Sequence, residues 1–272
     1  DVLRLWVVAS DYSEDLKIDK AILNQHAESY RKIRNTLRFL LGNLNDKLLN
    51  DDFSKIEYSK LSSLEKYILT QVYDFDLRFR DYIKSYNFHK IYIELLNFCT
   101  LDLSAFYFDI KKDILYCDSE NSQRRNNCLE ILNVLINFLL KWFSPILSFT
   151  SEEAYQVIKN KKYKSIHLQD FPVIPLMWNN SEIKNKWIGI KKVKQVVNAA
   201  IEDIRNRKII GSSLEANVVV YLKDEYLNII KQEDLSEIFI CSEAKAESFI
   251  NQNDLFSLKD IEGVAVKIVK AK

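Results

Sequence analysis

Apolar residues recur at helical spacing between residues 30 and 44 of the chain. The set consists of Tyr30, Ile33, Leu37, Leu40, Leu41 and Leu44. Intervals of three and four residues place these side chains on one face of a helix, which predicts an amphipathic helix packed against a core. Asp19 has the side chain of an N-cap residue, so we expect the helix to run from there to about Leu44.

A polar stripe follows the other side of the same predicted helix and consists of Arg31, Arg34, Asn35 and Arg38. Positions i, i+3, i+4 and i+7 share one helix face, so the three arginines repel one another there by about 0.2–0.5 kcal/mol per pair. Guanidinium groups and an amide suit phosphates and the edges of bases. We therefore interpret the stripe either as a nucleic-acid-binding face or as a solvated basic surface, and the pattern alone does not separate the two.

Further helices are predicted along the first 160 residues. Ser62 and Glu65 form a capping-box motif that opens the second helix. Later helices are predicted to begin after a break at Tyr86–His89, at Ser122, and at Thr150 or Ser151. Three stretches lack a helical pattern. The first, Asp1–Ser10, is predicted to be strand-like and buried. The other two, Asn45–Ser59 and Asp109–Asp118, are predicted to be irregular.

The composition changes between residues 160 and 180, where a lysine run precedes two prolines, and this predicts a boundary between modules. Beyond it, apolar spacing predicts one long helix from Ser181 to about Lys208, with Gly211 as its stop. Three strands are predicted in the remaining sequence, at Asn217–Leu222, Ile238–Cys241 and Val264–Val269. One short helix is predicted between the first two strands, at Asp224–Lys231.

These patterns predict a mainly α protein that begins with an up-and-down helical bundle and ends with a small α+β domain. We assign the bundle and its entry segment to residues 1–160, a linker to residues 161–180 and the α+β domain to residues 181–272. The chain begins without Met and inside an apolar segment, so we expect it to be a fragment.

The composition excludes several classes of protein. With 47% hydrophobic and 28% charged residues among 272, the chain has the composition of a globular protein. Its net charge of +1 means that any nucleic-acid site must be a local patch. No apolar run reaches membrane-spanning length without charges, and we expect no membrane association. The four cysteines form no CxxC pair, so we expect reduced thiols and no metal site within the chain.

No catalytic constellation is recognisable in the sequence. It contains no GxGxxG, P-loop or HExxH motif. Ser212 and Ser213 lack a neighbouring histidine that could activate a nucleophile. These residues favour a binding module over a self-sufficient enzyme.

Several strings resemble a known family in their literal order. The string YRKIRNTLRFLLGNL (Tyr30–Leu44) strongly resembles the helix that opens the anticodon-binding bundle of bacterial-type isoleucyl-tRNA synthetases, which are class I enzymes. Before it, the string DVLRLWVVASDYSEDLKI resembles the stretch that follows the KMSKS loop in that family. After it, Phe88–Asp118 resembles a part of the family's bundle, and IGSSLEA resembles its C-terminal junction. The resemblance covers nearly the whole chain and identifies it as the C-terminal part of such a synthetase.

The resemblance implies a role in tRNA binding for three groups of residues. The best candidates are Arg31, Arg34, Asn35 and Arg38, followed by Tyr86, Phe88 and His89, and then by Arg205 and Lys208. An anticodon loop is single-stranded, so its bases can stack on aromatic side chains and its phosphates can pair with arginines. The implied partner is isoleucine tRNA, and we expect a cytoplasmic monomer without an obligate protein partner.

The parent activity that the resemblance implies is the ATP-dependent attachment of isoleucine to its tRNA. The family's HIGH and KMSKS signatures are absent here, so catalysis, ATP, Mg and editing would belong to other parts of the parent enzyme. We expect no cofactor within this chain, and it stays open whether a zinc element follows residue 272. Two alternatives remain: a helical protein-interaction module, or the equivalent part of a valyl-, leucyl- or methionyl-tRNA synthetase.

Overall fold

The computed structural model describes residues 1–44, 53–159, 161–249 and 255–271. The chain forms two compact units, Asp1–Asn179 and Asn180–Lys272. The first unit is helical and the second combines helices with a small sheet, which confirms the predicted fold class. The division into a bundle, a linker and an α+β domain at residues 160 and 180 stays a prediction.

The first unit consists of helices of 8 to 24 residues. They are α1 (Val2–Ala9), α2 (Lys20–Asn43), α3 (Ser63–Lys84), α4 (Phe88–Asn97), α5 (Asp109–Cys117), α6 (Gln123–Phe143) and α7 (Ser148–Val157). A π-helical segment, Phe98–Phe108, joins α4 to α5 without a break. The continuous helix from Phe88 to Cys117 is long and apolar enough to span a membrane, but a core helix meets the same test.

Two helix starts predicted from side-chain chemistry are confirmed. The carboxylate of Asp19 accepts a hydrogen bond from the backbone N–H of Ile22 at 2.7 Å, which satisfies a donor at the start of α2. At the start of α3, the Ser62 backbone N–H donates to the Glu65 carboxylate at 2.8 Å, and the Glu65 N–H donates to the Ser62 hydroxyl at 3.3 Å. This is the reciprocal pair of a capping box.

Three predictions for the first unit are wrong. Asp1–Ser10 is not strand-like, because its apolar run forms α1, and short apolar runs do not distinguish a strand from a buried helix. Asp109–Asp118 is not irregular, since Ile110 and Ile114 are buried one turn apart in α5. The last helix begins at Ser148 rather than at Thr150 or Ser151. Of the loop predicted at 45–59, residues 45–52 lie outside the described residues, and Phe53–Lys55 and Tyr58–Lys60 form short 3₁₀ turns.

The core of the first unit is built around α6, which is buried over most of its length. The ring of Trp142 packs edge-on against Phe75 with 4.6 Å between ring centroids. Segment 161–179 lies on this core, since Trp178 is fully buried and its ring is 6.0 Å from that of Phe138. The guanidinium of Arg80 also donates to the carbonyl of Pro172 at 2.8 Å.

The second unit is a three-stranded sheet packed against one long helix. Its elements are α8 (Ser181–Asn206), β1 (Ala216–Leu222), α9 (Asp224–Ile230), α10 (Leu235–Phe239), β2 (Glu243–Ser248) and β3 (Val264–Lys270). The strand order is β2-β1-β3, with β1 parallel to β2 and antiparallel to β3. Alternate residues of β1 are buried, as expected for a strand with one face on a core.

Two predictions for the second unit are corrected. The stretch Ile238–Cys241 is not a strand: the carboxylate of Asp234 caps α10, which continues to Phe239. Gly211 is not the stop of α8, because the helix ends at Asn206 and Lys208 takes the left-handed conformation after it, with φ of 59°. The apolar run Ile238–Cys241 is too short for its pattern to distinguish a helix from a strand.

The four cysteines are free thiols. Cys99, Cys128 and Cys241 are buried, whereas Cys117 is exposed at the end of α5. Burial raises the pKa of the Cys241 thiol to about 11, so this group is protonated at neutral pH. We infer that the buried thiols pack as small apolar groups.

Candidate nucleic-acid interface

The four residues of the polar stripe lie together on the exposed face of α2. Arg31, Arg34, Asn35 and Arg38 are all exposed, while Ile33, Leu37 and Leu40 on the other side are buried. The helix is therefore held by its apolar face, and its polar face is open to a partner. The structure places the stripe as the sequence predicts, although its role in binding is not thereby tested.

Two of the stripe's arginines have carboxylate neighbours. The guanidinium of Arg31 lies 3.1 Å from the carboxylate of Glu28 on the same helix. The guanidinium of Arg34 lies 3.6 Å from the carboxylate of Glu153 on α7. Exposed ion pairs of this kind contribute about 0–1 kcal/mol, so a phosphate can replace the carboxylates at small cost. Within the described ranges, Asn35 and Arg38 have no hydrogen-bond or ion-pair partner.

The second candidate group surrounds the turn between α3 and α4. Tyr86 has a φ of 57°, which is uncommon for a bulky residue, and 65% of its surface is exposed. Its ring meets that of Phe88 edge-on at 6.0 Å, and its carbonyl accepts a hydrogen bond from the Tyr12 hydroxyl at 3.1 Å. His89 is half-buried. The turn therefore presents an exposed aromatic pair on which a base can stack.

A carboxylate lies close to this turn. Hydrogen bonds from the side chain and backbone N–H of Ser13 hold the pKa of Asp11 below its usual value, and the charge of His89 lowers it further. Asp11 is therefore ionised at neutral pH.

The third candidate group lies at the end of α8 in the second unit. Arg205 and Lys208 line a shallow cleft of about 430 Å³ together with Lys270 of β3. The guanidinium of Arg205 is 2.9 Å from the carboxylate of Glu202. Lys270 is not among the residues predicted from sequence, because it lies more than 60 residues along the chain from Lys208 and nothing in its local pattern marks it.

The structure brings together the members of each group. Within the described part of the first unit, no hydrogen bond or ring contact joins the stripe to Tyr86, Phe88 or His89. In the same ranges of the chain, no group of three or more His, Cys, Asp or Glu side chains is placed to hold a metal ion. The observed chemistry is thus that of cationic and aromatic contact surfaces.

Comparison with known proteins gives one family and several close relatives. Residues 65–220 match the model of the family described as "Anticodon-binding domain of tRNA ligase". The chain is 48% identical over all 272 residues to the isoleucine–tRNA ligase of Pelagibacter ubique, of which it covers 29%. It is 40% identical over 98% of its length to the enzyme of Agrobacterium fabrum, covering 27%, and 38% identical over its whole length to that of Bartonella quintana, covering 28%. The chain thus spans less than a third of the length of these curated relatives.

Proposed function

We propose that this chain, which belongs to the family of anticodon-binding domains of tRNA ligases, is the tRNA-binding part of an isoleucine–tRNA ligase. The observation that carries the proposal is the exposed cationic face of α2 on a chain that matches isoleucine–tRNA ligases from end to end. The partner is isoleucine tRNA, which the chain contacts at the anticodon stem and loop. The family match begins at residue 65, so α2 supports the proposal independently of it.

The three groups of residues divide the work of binding by their chemistry. Arg31, Arg34 and Arg38 neutralise phosphates of the RNA backbone, and the amide of Asn35 makes paired hydrogen bonds to a base edge. The aromatic residues Tyr86 and Phe88, with His89, stack on or contact unpaired bases. Arg205 and Lys208 add contacts from the second unit.

The parent enzyme activates isoleucine with ATP as an aminoacyl-adenylate and then transfers it to the terminal ribose of the tRNA. In this proposal the chain contributes affinity and discrimination, and other parts of the enzyme hold ATP and Mg and perform the chemistry. We also propose that the parent is a cytoplasmic monomer, and that a zinc element, where the parent has one, follows residue 272.

The test is binding of isoleucine tRNA by single variants of the stripe. Arg34→Ala and Arg38→Ala are each expected to cost about 1–3 kcal/mol of binding free energy. Arg78→Ala is the matched control, because Arg78 is an exposed arginine of α3 that pairs with Glu94 at 2.8 Å. If both stripe variants kept the wild-type affinity for isoleucine tRNA, the stripe would be shown to be a solvated surface that does not bind RNA. Binding of no tRNA by the wild-type chain would favour the protein-interaction alternative, and stronger binding of valine, leucine or methionine tRNA would favour a related synthetase.

A further inference from the structure

A tyrosine between α1 and α2 contacts the turn that joins α3 to α4, and none of the three candidate groups includes it. The hydroxyl of Tyr12 donates to the carbonyl of Tyr86 at 3.1 Å, although the two residues are 74 positions apart along the chain. Tyr12 is 63% exposed and Tyr86 is 65% exposed, so their contact buries little apolar surface. The hydrogen bond therefore does more to fix the shape of the turn than to stabilise the fold.

Tyr86 follows α3 at the position that glycine most often occupies after a helix. The backbone N–H of Asn87 donates to the carbonyl of Tyr82 at 2.9 Å, and the N–H of Tyr86 donates to the carbonyl of Ile83 at 3.2 Å. These two bonds form a Schellman motif, in which Tyr86 is the left-handed residue, with φ of 57°. Glycine takes this conformation without strain, whereas a residue with a Cβ does not. The turn thus holds an exposed aromatic residue at a cost in stability, and strained residues of this kind cluster at functional sites.

The rings at the turn leave room for a third ring. Tyr86 and Phe88 meet edge-on, with an interplanar angle of 89° and 6.0 Å between their centroids. In an edge-on pair, only one face of one ring is covered by the other ring. Because most of Tyr86 is also open to solvent, a planar base can approach its ring and stack on it.

Hydrogen bonds restrict both partners of this contact before any RNA binds. The carboxylate of Asp11 accepts from the backbone N–H of Ser13 at 3.0 Å and from its hydroxyl at 2.6 Å, which closes a turn around Tyr12. At the end of α3, the side-chain amide of Asn87 donates to the hydroxyl of Ser85 at 2.8 Å. The Tyr12 hydroxyl therefore joins two turns that are each held by their own hydrogen bonds.

We propose that Tyr12 is a positioning residue for RNA binding, whose hydroxyl holds the strained turn so that the exposed ring of Tyr86 is ready to stack on an unpaired base. This inference rests on the proposed function and adds to it a residue that lies outside the three candidate groups. A ring that is already in place loses less conformational entropy when a base stacks on it. Loss of the Tyr12 hydroxyl therefore weakens binding even though the ring of Tyr86 remains.

The test is a double-mutant cycle on the binding of isoleucine tRNA by the whole chain. Tyr12→Phe removes the hydroxyl, keeps the ring and is expected to weaken binding about two- to ten-fold, as for the loss of one hydrogen bond. Tyr86→Ala removes the stacking ring, keeps the Cβ and is expected to weaken binding about five-fold or more. In the Tyr86→Ala background, Tyr12→Phe should change the affinity by less than about two-fold, because the ring that it positions is absent.

The salt dependence of binding separates this contact from the stripe. Neither Tyr12→Phe nor Tyr86→Ala removes a phosphate contact, so both variants are expected to keep the wild-type slope of log K against log salt. Arg38→Ala is expected to lower the magnitude of that slope by about 0.7–0.9, because it removes one phosphate contact. A lowered slope in Tyr86→Ala would contradict a stacking role for its ring.

Tyr116 supplies the matched control, since it is an exposed tyrosine of α5. Tyr116→Phe is expected to keep the wild-type affinity. Equal losses from Tyr12→Phe in both backgrounds would show that its hydroxyl contacts RNA itself, and would overturn the inference. Unchanged binding by Tyr12→Phe would also overturn it, while weaker binding by Arg34→Ala would leave the proposed function intact. A wild-type chain that bound no tRNA would overturn both.

Discussion

The guanidinium of Arg34 on α2 and the carboxylate of Glu153 on α7 lie 3.6 Å apart. Both side chains are more than half exposed, so water screens their attraction. The pair therefore adds little stability, but it places a negative charge beside the surface that we propose binds RNA. A phosphate that approaches Arg34 must also approach Glu153.

Removing that negative charge is expected to strengthen tRNA binding. Glu153→Gln keeps the size of the side chain and frees Arg34 for a phosphate, so affinity should rise about two- to five-fold at low salt, as expected for an exposed pair. Titration with labelled tRNA measures the change, and Glu57→Gln is the control because Glu57 pairs with Lys60. Weaker or unchanged binding by Glu153→Gln would show that Arg34 does not contact RNA.

A buried ion pair joins α3 to α5. The ammonium of Lys111 lies 3.4 Å from the carboxylate of Glu65, and both side chains are almost fully buried. Removing one partner leaves the other charge buried without compensation, which costs about 3–5 kcal/mol. Lys111→Met is therefore expected to lower the free energy of unfolding by about 3 kcal/mol, with Glu65 keeping its bond to Ser62. Urea unfolding measures this.

The neighbouring lysine supplies the control for that experiment. Lys112 pairs with Asp109 at 3.0 Å, but both side chains are more than 40% exposed. Lys112→Met should change the free energy of unfolding by no more than about 0.5 kcal/mol. Equal effects of the two substitutions would contradict the account of a buried pair.

His26 makes stability depend on pH. Burial lowers the pKa of this half-buried imidazole, so the folded state disfavours the charged form. The unfolded chain then binds more protons, and stability is lost as the pH falls from the unfolded value of about 6.5 through the lower folded value. The loss should be below about 1 kcal/mol, because the ring is only partly buried.

The variant His26→Gln isolates this contribution. Its free energy of unfolding, measured between about pH 7.5 and pH 5, should fall less steeply than that of the wild type. His167→Gln is the control, since His167 is exposed. A steeper fall in His26→Gln than in the wild type would contradict the assigned sign.

The fold could be predicted from sequence where side-chain chemistry marks an element directly. The starts of two helices are marked by Asp19 and by the pair Ser62 and Glu65, because these side chains satisfy backbone donors that would otherwise lack partners. Asp109–Asp118 escaped prediction because Lys111 is buried against Glu65, so a charged residue occupies an inward position. Periodicity treats every charge as outward and therefore misjudges such a helix.

The candidate site could be predicted only where its members share one helix. Arg31, Arg34, Asn35 and Arg38 follow from helical spacing alone. Lys270 reaches the cleft beside Lys208 through strand pairing, and Glu153 reaches Arg34 through helix packing. Contacts between distant parts of the chain depend on tertiary structure, and local sequence patterns do not contain them.

The measurement that tests the central claim most directly is binding of isoleucine tRNA beside the same tRNA with its anticodon bases replaced, at two salt concentrations. If the chain reads the anticodon, replacing the bases weakens binding by about 1–3 kcal/mol or more. The loss is the same at both salt concentrations, because base contacts do not depend on counterion release. Equal binding of both tRNAs, weakening together as salt rises, would contradict the claim and leave only a grip on the phosphate backbone.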